Sequence, residues 1–86
     1  MYFKYIMLII VCVTMNTKIL KNFGESVKNR RKDINMSQEE LAYKPGIHRT
    51  YMSFIERGLR NPSLLIIFKI SRVLKIKLSE LFDFDR

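Results

Sequence analysis

The sequence predicts an all-α fold: one compact domain of five helices. From Thr17 onward, apolar residues recur at helical spacing and almost never alternate in the manner of a strand. Asn35, Pro45-Gly46 and Gly58 punctuate that stretch as helix stops. The chain has 86 residues, 48% of them apolar, enough for one small core.

The first helix carries Ile19, Phe23 and Val27 at intervals of four, with Arg31 next in the series. Asn35 ends it, because asparagine tolerates a left-handed cap. The second helix is announced by "MSQEEL": Ser37 and Glu40 have the spacing of a capping box, and Met36 and Leu41 that of a hydrophobic staple. Pro45-Gly46 stops it. A tight "PGIH" turn leads to a third helix that Gly58 closes. In the fourth, Asn61 is placed to cap and Pro62 suits the first turn, with the helix running to about Lys75. Leu64, Ile67, Ser71 and Leu74 share one face, with Ile70 beside them. The fifth is brief and puts Leu78, Leu81 and Phe82 on one side.

Composition excludes several kinds of chemistry. Cys12 is the single cysteine and His48 the single histidine, so neither an internal disulfide nor an ordinary four-ligand zinc site is available. No nucleophile has a base at plausible spacing, no glycine loop is suited to cradle phosphate, and no carboxylate pair marks a cleft. The expectation is a non-enzyme with no cofactor and no small-molecule substrate. Sixteen Lys+Arg against eight Asp+Glu give a formal charge of +8, which favours a polyanionic partner over a merely solvated surface.

Residues 1–16 differ from the rest. Tyr5 to Val13 are nine unbroken apolar positions, too few for a bilayer span of about 20. They read as a mis-set start with Met15 as the initiator, as an extra packed element, or as a signal segment without a cleavage site. A membrane-associated basic protein anchored by residues 5–13 is the alternative class. The expected division is an extension over 1–16 and a folded helical domain over 17–86, in a cytoplasmic protein.

On a helical wheel of residues 48–59, Met52, Ile55, Glu56 and Leu59 share one side. Glu56 therefore points at the core, where an unpaired charge is very costly. Arg31 lies on the apolar stripe of the first helix, so the two are expected to pair and tie helix one to helix three. The opposite side of helix three is cationic and rich in hydroxyls: Thr50, Ser53, Phe54 and Arg57, flanked by Arg49 and Tyr51. A short second helix, a tight turn and such a third helix match the helix-turn-helix plan, whose second member enters the DNA major groove.

"SQEELAYKPGIHRTYMSFIERGLRNPS…ISRVLKIKLSELF" resembles the lambda-repressor-like helix-turn-helix domains of the Cro and phage-repressor type, over about Phe23 to Phe82. "GIHRTYMSFIERGLRN" is similar to the controller proteins of restriction–modification systems. The resemblance implies a five-helix domain, with the helix-turn-helix at helices two and three. It implies a homodimer on a near-palindromic double-stranded DNA operator, regulating an operon that includes its own gene. A phage or plasmid repressor, or an antitoxin-type regulator, is the alternative within the fold, and RNA polymerase is a candidate further partner.

The resemblance places Arg49, Thr50 and Tyr51 toward bases, with Phe54 as a further candidate, and Ser37, Gln38, Ser53, Arg57, Arg60 and Asn61 near the phosphate backbone; His48, which opens helix three, reads as a cap or a phosphate neighbour. It also implies an Arg31–Glu56 pair and dimerisation through helices four and five. Ile66, Ile70 and Val73 form a second apolar stripe there, with Leu65 pointing away from the first. Packing under residues 1–16 is the rival explanation for that stripe. Arg49 is suited to read a guanine bidentately or to meet a phosphate. Phe54 stands where the family is usually polar, to meet a thymine methyl or to pack over Tyr51 or Arg57. Pro45 replaces a helix-compatible residue, so helix two should end a turn early or be strained. Lys77 replaces a small polar cap, which should let helix five fray.

Overall fold

A computed structural model describes residues 2–84, with side chains at Ile6 and over residues 17–84. Helix α1 spans Tyr2–Asp33, α2 Gln38–Tyr43, α3 Arg49–Glu56, α4 Leu64–Val73 and α5 Leu78–Leu81. Among the described residues there is no strand. The five expected helices are present, but α1 starts at Tyr2 rather than near Thr17. At about 1.5 Å per residue such a helix is nearly 50 Å long, and it accounts for the molecule's 51 Å long axis.

The core is small and central. Phe23 and Val27 of α1 meet Leu41 and Ala42 of α2, Met52 and Ile55 of α3, Ile70 and Leu74 around α4, and Leu81 of α5. Ile19 does not join them; it is 50% exposed, because the core begins one turn further along α1. Leu64 also departs from its expected face, lying in the first turn of α4 beyond the reach of the core. Leu59, past the Gly58 stop, is exposed as well. Two hydrogen bonds pin α1 to the far end of the fold. Ser26 Oγ donates to Leu81 O at 2.7 Å, and Arg30 Nε donates to Leu74 O at 3.0 Å. Phe82 stacks on Phe23 with centroids 5.0 Å apart.

Helices α1 to α4 all close in the same way. A residue at positive φ reverses the chain: Asn35 (55°), Gly46 (76°), Gly58 (75°) and Lys75 (58°). The next amide then reaches back five residues, as in Met36 N to Arg31 O (3.0 Å), Ile47 N to Ala42 O (3.1 Å), Leu59 N to Phe54 O (2.8 Å) and Ile76 N to Ser71 O (3.2 Å). This is the Schellman closure, which satisfies carbonyls that a helix end leaves free. It also answers the question posed by Pro45. Lys44 keeps α geometry (φ −66°, ψ −44°), which a following proline disfavours. Pro45 itself is buried and the closing bonds around it survive, so the turn between α2 and α3 is retained.

The start of α4 corrects another expectation. Ser63, not Asn61, is the cap: its Oγ accepts from Ile66 N at 3.3 Å, and Pro62 is buried just before it. The hydroxyl at 63 has the extended backbone and the three-residue reach that a cap needs. Lys77 opens α5 with no side-chain cap bond, as its chemistry requires.

Candidate nucleic-acid interface

Helix α2 presents its N-terminus through the capping box read from "MSQEEL". Glu40 N donates to Ser37 Oγ at 3.0 Å and Ser37 N donates to Glu40 Oε1 at 3.1 Å. Helix α3 is opened by His48, whose Nδ1 accepts from Thr50 N at 3.1 Å. The imidazole is therefore a cap, with an exposed edge left over.

The core side of α3 is locked. Met52, Ile55 and Glu56 are buried, and the Glu56 side chain is only 2% exposed. Arg31 Nε donates to Glu56 Oε2 at 2.7 Å and Arg31 Nη2 donates to Oε1 at 3.0 Å, a two-point fork of the strong, geometrically selective kind. The Arg31 guanidinium also donates to Met36 O at 2.9 Å. Gln38 Nε2 completes the group, donating to Glu56 Oε1 at 3.0 Å. Helices one, two and three thus converge on one carboxylate.

The other side of α3 faces out. Arg49, Thr50 and Arg57 are exposed and Ser53 is half-buried. Arg60 and Asn61 continue the same polar surface on the loop after Gly58. Phe54 is half-buried with two guanidiniums over its ring, that of Arg60 at 4.8 Å from the centroid and that of Arg57 at 5.7 Å. Tyr51 leans against the core and lines a shallow hollow with Ile47, His48, Asn61, Ser63 and Ile66. Gln38 is occupied by Glu56, which makes it a link to the buried pair before it is anything else.

The HTH_3 helix-turn-helix family model matches residues 27–81, well over half of the chain. The chain belongs to this helix-turn-helix family. It is similar to the control protein C.BamHI of Bacillus amyloliquefaciens, 48% identical over 73 residues that cover 84% of this chain and 88% of the relative. It is also similar to the control protein C.MunI of Mycoplasma sp, 49% identical over 62 residues covering 71% and 84% of the two chains. Among solved structures it resembles the restriction-modification controller protein C.AhdI from Aeromonas hydrophila. That match has 40% identity and a TM-score of 0.69, over 72% of this chain and 94% of that one.

As in the sequence reading, this helix-turn-helix chain carries more apolar surface on α4 than its core uses. Leu64 is 73%, Leu65 61% and Phe68 48% exposed, and Ile66 and Val73 are half-buried. Ile70 is a correction. It is fully buried within the single chain, because its position on α4 points at Leu74 and the core rather than outward. It has no surface to offer a partner.

Gly24 was not singled out by sequence reasoning, although it positions the site. A methyl group there would lie 2.3 Å from Ile55 O and 2.6 Å from Glu56 O, so α1 and α3 touch backbone to backbone at the base of the recognition helix. The available signal was a lone glycine inside a helical pattern. Among the described residues, no group of three or more His, Cys, Asp or Glu is placed to hold a metal, and no helix is long and apolar enough to cross a membrane. The side chains of residues 7–16, and with them most of the apolar segment 5–13, lie outside the described set.

Proposed function

We propose that the chain is a cytoplasmic transcription regulator that binds double-stranded DNA with sequence preference, as a homodimer on a near-palindromic operator. Its targets on this reading are the genes of a restriction–modification system, its own gene included, and RNA polymerase is a further partner. The observation that carries it is the two-sided third helix: a core side held by Arg31, Glu56 and Gln38, and an outer side offering Arg49, Thr50 and Ser53. The controller-protein relatives and the charge of +8 support it. The DNA-binding unit is residues 17–86, with 1–16 as an extension, and the matched family region falls inside that unit. Catalysis has no part in this reading.

Arg49 and Thr50 read base edges, with Tyr51 at the flank. Ser37, Gln38, His48, Ser53, Arg57, Arg60 and Asn61 hold the backbone. Selection from a random duplex library is the direct test. A recovered inverted repeat, with half-sites about one helical turn apart, is expected. Equal weak binding to every recovered fragment ends the proposal. On such an operator, Arg49→Ala should lose about 1–3 kcal/mol of discrimination at one base position. Arg60→Ala should weaken operator and random duplex alike and flatten the salt dependence by about one phosphate's worth. Titrations against salt, on the operator and its single-base variants, separate the two behaviours.

For the dimer, the seam is the exposed α4 surface around Leu65, with Ile66 and Val73 at its edge and Leu64 and Phe68 joining it. Leu65→Asp should convert a dimer to a monomer in sedimentation while the helical circular dichroism stays unchanged. A strictly monomeric parent chain at high concentration defeats the seam. Repeating the run on a chain that begins at Met15 tests whether residues 1–14 cover this surface instead.

A further inference from the structure

We infer that Phe54 is a positioning residue for phosphate binding: its ring is a cation–π platform that holds the guanidiniums of Arg57 and Arg60 together where one DNA strand passes. The inference rests on the chain's binding of duplex DNA and says how the edge of that surface is built.

The placement follows from the backbone. Arg57 is three residues after Phe54, hence its neighbour on the same helical face. Arg60 arrives by a different route. Gly58 reverses the chain at φ 75°, Leu59 N closes onto Phe54 O at 2.8 Å, and residue 60 is thereby carried back over the ring of residue 54. Its guanidinium stands 4.8 Å from the centroid, and Arg60 Nη1 also donates to Leu59 O at 2.9 Å. Arg57 stands 5.7 Å away. Both distances lie within the range in which the negative face of an aromatic ring attracts a cation.

Two guanidiniums gathered at one ring repel each other, and the ring offsets that repulsion only in part. A phosphate arriving between them completes the neutralisation. Arginines already held in place lose less rotamer freedom on binding than free ones. An aliphatic side chain at 54 would meet a thymine methyl as well as phenylalanine does, but it would not attract a guanidinium. The platform and a base contact therefore make opposite demands on residue 54.

The test compares Phe54→Leu, Phe54→Tyr and Phe54→Ala with the parent chain, each checked for an unchanged thermal melt. Binding is measured on a random-sequence duplex and on the selected operator, with thymine and with deoxyuridine in its place. The platform predicts that Phe54→Leu loses on the order of five- to tenfold in affinity on both duplexes and has a shallower salt dependence. It predicts that Phe54→Tyr keeps parental affinity and that deoxyuridine makes no difference at residue 54. A loss confined to the operator, or a deoxyuridine penalty that disappears in Phe54→Ala, overturns it in favour of base reading. In the free protein, the Arg60 side-chain resonances should carry a ring-current shift that Phe54→Leu abolishes; unshifted resonances overturn the platform without reference to DNA. Should no duplex bind at all while that shift is present, the DNA-binding reading fails and the phosphate role falls with it.

Discussion

Gly24→Ala is expected to lower the melting temperature by on the order of 15 °C and to impair DNA binding at temperatures where the chain is still folded. In an isolated helix the same change would stabilise by about 0.5–1 kcal/mol, because glycine is the poorer helix former. Here the sign reverses. The added methyl would sit 2.3 Å from one carbonyl oxygen of α3 and 2.6 Å from the next, and backbone atoms have no rotamer by which to retreat. Helix α1 must back away from α3 as a unit, which places the cost at about 3 kcal/mol or more, at the upper end for overpacking. The crowded carbonyls belong to Ile55 and Glu56, in the last turn of α3, so the outer side of that helix is disturbed too. Gly46→Ala is the control. Nothing lies within 4 Å of its position, and only the positive φ of 76° resists, a cost of about 1 kcal/mol. Thermal melts of the two variants should differ in that order; equal losses would refute the close approach of α1 and α3.

Arg31→Ala is the second large effect. It strands a buried carboxylate that retains only the Gln38 hydrogen bond of 3.0 Å, and breaking one side of such a pair costs about 3–5 kcal/mol. Arg31→Ala combined with Glu56→Ala should recover part of that loss, because the desolvated charge is then gone. Urea melts with an unchanged slope would give the three free energies directly. A double variant no more stable than Arg31→Ala alone would show that the pair's worth lies in packing. The net contribution of the intact pair over an apolar substitute is small.

Much of this was legible before any coordinates. Ser37 and Glu40 announced α2 because a capping box is local, and local geometry follows from local spacing. Arg31 and Glu56 announced each other because each broke an apolar stripe, and two such violations on different helices call for one explanation. The failures were of another kind. The stripe through Ile19 gave a direction but not where the core stops along it. Ile70 falls on the seam stripe of the wheel yet is buried in the core, because a wheel cannot tell an inner apolar stripe from an outer one when both adjoin. The cap of α4 slipped by two residues because Asn61, Pro62 and Ser63 all suit a helix start, and the hydrogen bond decided among them. The Gln38 link and the Gly24 contact were not legible, because both depend on how near two helices lie.

The wedge of glycine and carboxylate beneath α3 has a consequence for how such a protein diversifies. The helix is seated by its inner side: its own Met52, Ile55 and Glu56 face the core, and Gly24, Arg31 and Gln38 meet them from α1 and α2. The exposed side chains of Arg49 and Thr50, proposed above to read bases, take no part in that seating. A lineage could rewrite them, and with them its preferred target, without remaking its interior: the address is written on a plate bolted to a chassis that does not change.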